Sequence, residues 1–226
     1  MVDFLREIMP NVVIYKDKFF DCIWDTVIMT FWSGAWMFVF GLILGVLLTV
    51  TKPGGILQNK VIYQVLDKLI NIFRSIPFII LIALLLPVTL KLMGTRIGID
   101  GVIVPLVVGS TPFFARQVES ALASIGGGVI EAAQSMGLSP FEIIIRVYLK
   151  ECIAPIARGT TITIINLIGL TAMAGYVGAG GLGDFAITYG YNVNRWDIIY
   201  VSVIVIVLMV TIIQLIGNLI AKLTTH

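Results

Sequence analysis

The stretch from Thr26 to Val50, TVIMTFWSGAWMFVFGLILGVLLTV, runs 25 residues without a charge. An α-helix rises about 1.5 Å per residue, and about 20 apolar residues cross the roughly 30 Å hydrocarbon core of a bilayer. This stretch is therefore long enough to span with some tilt. Two more runs have the same character: Gly159 to Gly183, with 25 uncharged residues, and Ile198 to Ala221, with 24. The whole chain of 226 residues is 58% hydrophobic and 12% charged. Soluble domains are roughly 45–50% apolar and about 25% charged. Too few charges are present to cover this much apolar surface in water, and the few there are cluster between the apolar runs.

Working outward, residues 1–25 hold eight charges. Val12, Val13, Phe19, Phe20, Ile23 and Trp24 fall at helical spacing among Lys16, Asp17, Lys18 and Asp21. The pattern predicts an N-terminal helix lying at the membrane interface over 1–25. The apolar run behind it is too long for a leader's core and lacks a small-residue cleavage site, so no cleavable leader is expected. Lys52-Pro53-Gly54-Gly55 closes the first span, and Gly41-x-x-x-Gly45 within it suits close helix packing. A second span is expected at about 69–90, carrying Arg74 and Pro77 and meeting Pro87 near its end. Arg74 would snorkel to the nearer interface. Its mate at 99–115 is short and carries Pro105 and Pro112, so it reads as a broken helix. Broken helices survive in a bilayer only against protein or a wet cavity, which puts this hairpin inside the bundle.

Residues 116–152 form a polar insert with seven charges, followed by spans at about 159–180 and 198–221. The expectation is an all-α, polytopic membrane protein with five transmembrane helices and its termini on opposite sides. Lys and Arg do not orient it, because they are shared almost evenly between the face of the insert and the other face. Cys22 and Cys152 suggest neither a disulfide framework nor a metal site. Nothing points to nucleic acid.

The chemistry of energy coupling narrows the class. Proton- or cation-driven transport calls for intramembrane acids or histidines, yet the spans at 26–50, 69–90, 159–180 and 198–221 hold no Asp or Glu and the single His is the last residue. The same shortage of His removes an H-E-x-x-H intramembrane enzyme. No G-x-x-x-x-G-K-[ST] loop exists for ATP. Gly178-Ala179-Gly180-Gly181-Leu182-Gly183 fits G-x-G-x-x-G, but it closes an apolar run instead of following a strand. It reads as flexible backbone near a membrane surface. A transporter of this kind needs a partner to drive it, and an energy-independent channel is the rival.

The polar insert suits a partner. Glu131-Ala132-Ala133-Gln134-Ser135-Met136-Gly137 reads as a small-residue helix stopped by a left-handed glycine. Ser139-Pro140-Phe141-Glu142 opens a second helix, with Ser139 as N-cap, Pro140 in the first position and Glu142 returning to the cap. The E-A-A-x-x-x-G pattern on Glu131, Ala132, Ala133 and Gly137 resembles the signature of ABC importer permeases of the type I class. Its usual continuation I-x-L-P here reads Val147-Tyr148-Leu149-Lys150, with Lys150 in place of the proline. Asn71 to Phe78, Val104-Pro105-Leu106, Pro112 to Arg116 and Ala172 to Asp184 look like methionine-type permeases, and the likeness covers about residues 24–220.

The resemblance implies a permease domain over 26–220 and a cytoplasmic coupling loop over 116–152. It places the N-terminus outside and the C-terminus in the cytoplasm. Two copies would form the pore, with two ABC ATPase subunits beneath and a lipid-anchored substrate-binding protein above, in a prokaryotic cell membrane. ATP and Mg would be bound by the ATPase, with no cofactor in this chain. Glu131, Ala132, Ala133, Met136, Gly137, Ser139 and Pro140 make up the candidate coupling set. Asn166, Met173 and Tyr176, with Gly178, Gly180, Gly181 and Gly183, make up the candidate translocation path or gate. The implied cargo is methionine or another small amino acid or organic solute.

Overall fold

A computed structural model describes residues 9–224, and residues 1–8 of the expected interfacial helix lie outside the described residues. The elements in chain order are α1 (Pro10–Ile14), α2 (Lys16–Thr51), α3 (Lys60–Ser75), α4 (Phe78–Met93), α5 (Asp100–Ala123), α6 (Gly127–Ser135) and α7 (Pro140–Glu142). Next come a π-helical segment (Ile143–Leu149), α8 (Ile153–Gly175), α9 (Gly181–Asp184), a second π-helical segment (Phe185–Gly190), a 3-10 turn (Tyr191–Val193) and α10 (Trp196–Leu223). No strand occurs among the described residues. The all-α membrane fold is the one observed. Four helices (α2, α5, α8 and α10) are each long and apolar enough to cross, and α3 and α4 pass the same test only when taken together as a bent pair, which brings the number to five if that pair is one span.

Several expectations about the helices are corrected. Residues 16–25 are not a separate interfacial helix; they are the first turns of α2, a single helix of 36 residues that measures about 54 Å. The second span is not continuous over 69–90. It breaks at Ile76–Pro77, where the chain turns by 111°. The residue before a proline is forced out of the helical region, and Ile76 sits at φ −80°, ψ 123°. Pro87, expected near the end, lies within α4. Arg74 is thus in the last turn of α3, exposed, and not deep in a span.

The third span is not broken: α5 runs 24 residues through both Pro105 and Pro112. Each proline removes one N–H and frees the carbonyl four residues back, and both prolines are buried. Of the four single-helix spans α5 is the most enclosed, with 61% of its most apolar window buried against 11% for α10. Interior placement of Pro105 and Pro112 was the correct expectation, although Pro77 is exposed. The helix also extends to Ala123, so Arg116 and Glu119 belong to α5 and the polar connector begins later than residue 116. The fourth span, expected at 159–180, is shifted to Ile153–Gly175.

The chain divides into two compact units. One comprises Met1–Ala35, Pro77–Val107 and Ile164–Ile213. Its core gathers Val12, Phe19, Cys22, Leu182, Phe185 and Ile198. Asn11 donates to Asp197 through its backbone N–H (2.9 Å) and its side-chain amide (3.0 Å), and the Arg195 guanidinium lies 5.2 Å from the Tyr15 ring centroid. Thr26 Oγ1 accepts the Leu182 N–H at 2.9 Å and donates to the Cys22 carbonyl at 2.9 Å. One hydroxyl therefore ties α2 to α9.

The other unit comprises Trp36–Ile76, Val108–Thr163 and Gln214–His226. Here α2 and α5 meet at Gly41 and Gly45. A Cβ on Gly41 would stand 2.6 Å from Cδ1 of Phe114, and one on Gly45 2.7 Å from the Ala115 carbonyl oxygen. Lipid is as apolar as these side chains, so close packing replaces the hydrophobic effect as the source of helix association. The Gly41-x-x-x-Gly45 motif is the device that permits it. Arg116 pairs with Asp67 of α3 and with Glu119 at 2.7 Å, and it donates to Asn71 Oδ1 at 3.1 Å.

Gly45→Leu should overpack the α2–α5 contact and cost about 1–3 kcal/mol. The check is a lowered unfolding temperature of the purified protein in detergent. An unchanged transition would mean that the two helices do not depend on this approach.

Candidate functional site

The connector between α5 and α8 folds as two short helices around a defined turn. α6 ends at Ser135 with Met136 as its C-cap, and Gly137 follows at φ +80°. The Gly137 N–H donates to the Gln134 carbonyl at 2.9 Å and the Leu138 N–H to the Ala133 carbonyl at 3.2 Å. This pair of bonds is a Schellman motif, which satisfies carbonyls that the helix end would leave open. Glycine is needed because a side chain at positive φ is strained.

The turn then starts α7 with a complete capping box. The Glu142 N–H donates to Ser139 Oγ at 3.4 Å, while Glu142 Oε2 accepts from the Ser139 N–H at 3.0 Å and from its hydroxyl at 2.9 Å. Those bonds to Ser139 favour the ionised carboxylate and hold the Glu142 pKa below its usual value, with Arg146 at 3.7 Å adding to the effect. The conformational roles expected for Gly137, Ser139, Pro140 and Glu142 are therefore those observed.

Between them the two helices hold an exposed apolar tip. Met136 is 73% exposed and Phe141 71% exposed. Glu131, Ala132, Ser139 and Pro140 are exposed as well, whereas Ala133 is buried and anchors α6. Sequence reasoning placed Phe141 in the second helix without singling it out. Behind the hairpin lies a cavity of about 370 Å³ lined by Lys52, Leu122, Ile130, Glu131, Gln134 and Tyr148, among others. The tip is stiff, small-sided and apolar, which suits insertion into a shallow groove on another protein.

The second candidate set sits on and after α8. Asn166 and Met173 are exposed and share a helix face with Gly169, at spacings of three and four. Met173 is 44% exposed, and Tyr176, just past the helix end, 68%. Gly180, Gly181 and Gly183 approach this chain's own α2 and α8. A Cβ on Gly180 would lie 2.9 Å from Asp25 Oδ2 and one on Gly181 2.7 Å from the Met29 Cε, while one on Gly183 would strike the Ala172 carbonyl. Gly180 and Gly181 also adopt φ of +82° and +81°. Gly178 stands in the open at φ +81°, its carbonyl accepting from the Gly98 N–H at 3.3 Å. Glycine is thus required here for packing within the protomer. No signal in the spacing alone distinguished packing on this chain from packing on another.

The family model described as "Binding-protein-dependent transport system inner membrane component" matches residues 37–225. The chain belongs to this family. It is accordingly a membrane component of an import system and a multi-pass protein of the prokaryotic inner membrane, a transport subunit. A "Probable D-methionine transport system permease protein MetI" of Vibrio cholerae is 42% identical over 211 residues, covering 93% of this chain and 94% of the relative. A "Methionine import system permease protein MetP" of Bacillus subtilis is 47% identical over 177 residues, covering 78% and 80%. Among solved structures, an inward-facing form of the MetNI methionine ABC transporter matches with a TM-score of 0.92 at 43% identity, covering 94% of this chain and 98% of that one. An amino acid ABC transporter matches with a TM-score of 0.77 at 18% identity, which shows the shared fold alone.

Ser139→Ala removes one N-cap acceptor and should cost the hairpin about 1 kcal/mol. Glu142 works in the same box with its folded pKa below the unfolded value. Its contribution is complete above the ordinary carboxylate range and is lost as pH falls through the lowered value. The protection of the amides between Leu138 and Ile143, measured against the intrinsic exchange rate at each pH, should therefore fall on acidification in wild type and be low at all pH values in Glu142→Ala. A hairpin whose exchange ignored both changes would not be held by the box.

Proposed function

We propose that the chain is the membrane-spanning subunit of an ATP-driven importer that carries methionine, or an amino acid close to it, into the cell. The reading rests on a single observation: two methionine-transport permeases and a methionine ABC transporter align with this chain over most of both lengths at 42–47% identity. Two copies form the pore, and an ABC ATPase dimer supplies the energy, binding ATP and Mg on its own residues. A lipid-anchored binding protein delivers the solute from outside. The N-terminus lies outside and the C-terminus in the cytoplasm, the side on which the α6–α7 hairpin meets the ATPase.

In this mechanism the permease supplies no reacting groups. ATP closes the ATPase dimer and draws the two hairpins together. Glu131, Ala132, Ala133, Met136, Gly137, Ser139 and Pro140 form the docking tip, and Phe141 adds apolar contact area. The α8 face carrying Asn166 and Met173 lines the path, with Tyr176 at its mouth. A flexible thioether can seal a narrow apolar path and yield without stranding a charge. Only interactions that differ between the inward and outward states move the equilibrium, so Met173 acts by packing better in one of them.

Three measurements test the proposal. Proteoliposomes holding the permease, its ATPase and its binding protein should take up methionine with ATP, and a complex stimulated only by a different amino acid would reassign the cargo. Gly137→Val should strain the turn by roughly 1–3 kcal/mol and uncouple ATP hydrolysis from uptake while the protein still inserts, and normal uptake would remove the hairpin from coupling. Met173→Ala should leak solute or raise ATPase activity without binding protein at normal assembly. Wild-type basal activity and leak would return Met173 to ordinary packing.

A further inference from the structure

Helix α3 is built unlike the spans. At 100° per residue its side chains sort into three sectors. Tyr63, Leu66 and Ile70 form the first and pack against Leu44, Leu48 and Ala115. Lys60, Gln64, Lys68 and Asn71 form the second, and all four are exposed. Val61, Ile62, Val65, Leu69 and Ile72 form the third, and between 45% and 70% of each is exposed. A helix with an unburied apolar stripe beside a cationic polar stripe has the composition of one that lies in a membrane interface.

The surroundings supply two independent supports. The first is the break at Ile76–Pro77: the chain bends there by 111°, so α3 does not continue α4 as one straight span. Its N-terminus is capped locally, where Asn59 Oδ1 accepts the N–H groups of Val61 and Ile62 at 3.1 Å each. The second is charge. Asp67, the sole acid on α3, is engaged by Arg116. Lys60, Lys68 and Arg74 have no ion pair among the described residues. The Arg116 contacts with Asp67 and Asn71 also fix the rotation of α3, and with it the direction in which the apolar stripe points.

We infer that α3 is an interfacial helix that seats Val61, Val65, Leu69 and Ile72 among the upper acyl chains and binds acidic phospholipid headgroups through Lys60, Lys68 and Arg74. The occupant is lipid with a net negative headgroup. A second copy of the chain could cover the apolar stripe but would not neutralise Lys60 and Lys68 on the adjoining polar stripe or Arg74 in the last turn, and water would not favour the stripe at all. Crossing is then left to α4, whose 16 residues span about 24 Å, with Arg74 before it and Lys91 in its last turn reaching to the two interfaces.

The test uses the whole permease–ATPase complex in vesicles of phosphatidylcholine with about 30% phosphatidylglycerol. Cys22 and Cys152 are buried and free, so a fluorophore can be placed at Val65→Cys, Leu69→Cys or Gln64→Cys. Lipid carrying a nitroxide high on its acyl chain should quench Val65→Cys and Leu69→Cys about threefold or more over aqueous iodide, with the order reversed at Gln64→Cys. Nitroxide-labelled phosphatidylglycerol should quench Leu69→Cys more than labelled phosphatidylcholine does. That selectivity should fall by about fivefold for each of Lys60→Gln, Lys68→Gln and Arg74→Gln. Strong iodide quenching at Leu69→Cys would put the stripe in water, and protection from both quenchers would put protein over it. Equal quenching by the two labelled lipids in the otherwise wild-type complex would remove the acidic headgroup. Any of these three results overturns the inference, and none depends on which solute the importer carries.

Discussion

A bilayer offers no water to an open backbone group, so each N–H and C=O within it must be answered by the chain itself. Nearly everything about this permease follows from that constraint. It selects helices and leaves the non-helical backbone to connectors. It reaches the side chains too: the hydroxyls of Thr26, Thr30, Thr49, Thr163 and Ser202 each donate to the carbonyl four residues back, at 2.7–2.9 Å. A polar side chain can then sit in a buried helix without looking for a partner elsewhere. Proline is admitted on the same terms, and Pro105 and Pro112 are found in the most enclosed of the single-helix spans, away from lipid.

Once the backbone is satisfied, helices are held by how closely they approach. Gly41 and Gly45 admit α5 to α2, Gly217 admits Thr161 of α8 to α10, and Gly181 admits α9 to Met29 and Thr26. At each of these points a methyl group would meet a neighbouring side chain or carbonyl. These glycines serve as contact points between helices, whereas Gly94 and Gly137 serve as left-handed stops where a helix ends. The α6–α7 hairpin shows the second use. Its rigid turn is made by local bonds, while the small side chains of Ala132 and Ala133 keep α6 slim on both its exposed and its buried side.

What could be read from the sequence was what local chemistry decides. The uncharged runs gave α2, α8 and α10, and the order Gly137, Ser139, Pro140, Glu142 gave the turn and its box, because caps are formed by residues within four positions of one another. Misreadings arose where the answer depended on distant partners. Pro105 and Pro112 suggest a break, and only the surrounding protein lets α5 continue. Pro87 and Pro77 look alike in sequence, yet one is carried within α4 and the other forces Ile76 out of the helix. The charges at Lys16 to Asp25 suggested a separate helix, but α1 and the 181–198 segment pack around Phe19 and Cys22 and allow α2 to run on. Asn166 and Met173 were legible as a face, whereas the purpose of Gly180, Gly181 and Gly183 required knowing that Asp25, Met29 and Ala172 stand opposite.

The bond from the Leu182 N–H to Thr26 Oγ1 joins residues 156 positions apart, and this has a consequence for synthesis. A ribosome adds about 5–20 residues per second, so α2 enters the bilayer on the order of ten seconds before its partner exists. During that wait the Thr26 hydroxyl is already answered by the Cys22 carbonyl, within its own turn of helix. The nascent helix can therefore idle in lipid with no polar group exposed to hydrocarbon at this point. When the loop finally arrives, the oxygen still has a lone pair to accept the late N–H. A valine at position 26 would serve the early helix equally well and leave the late amide with nothing to meet.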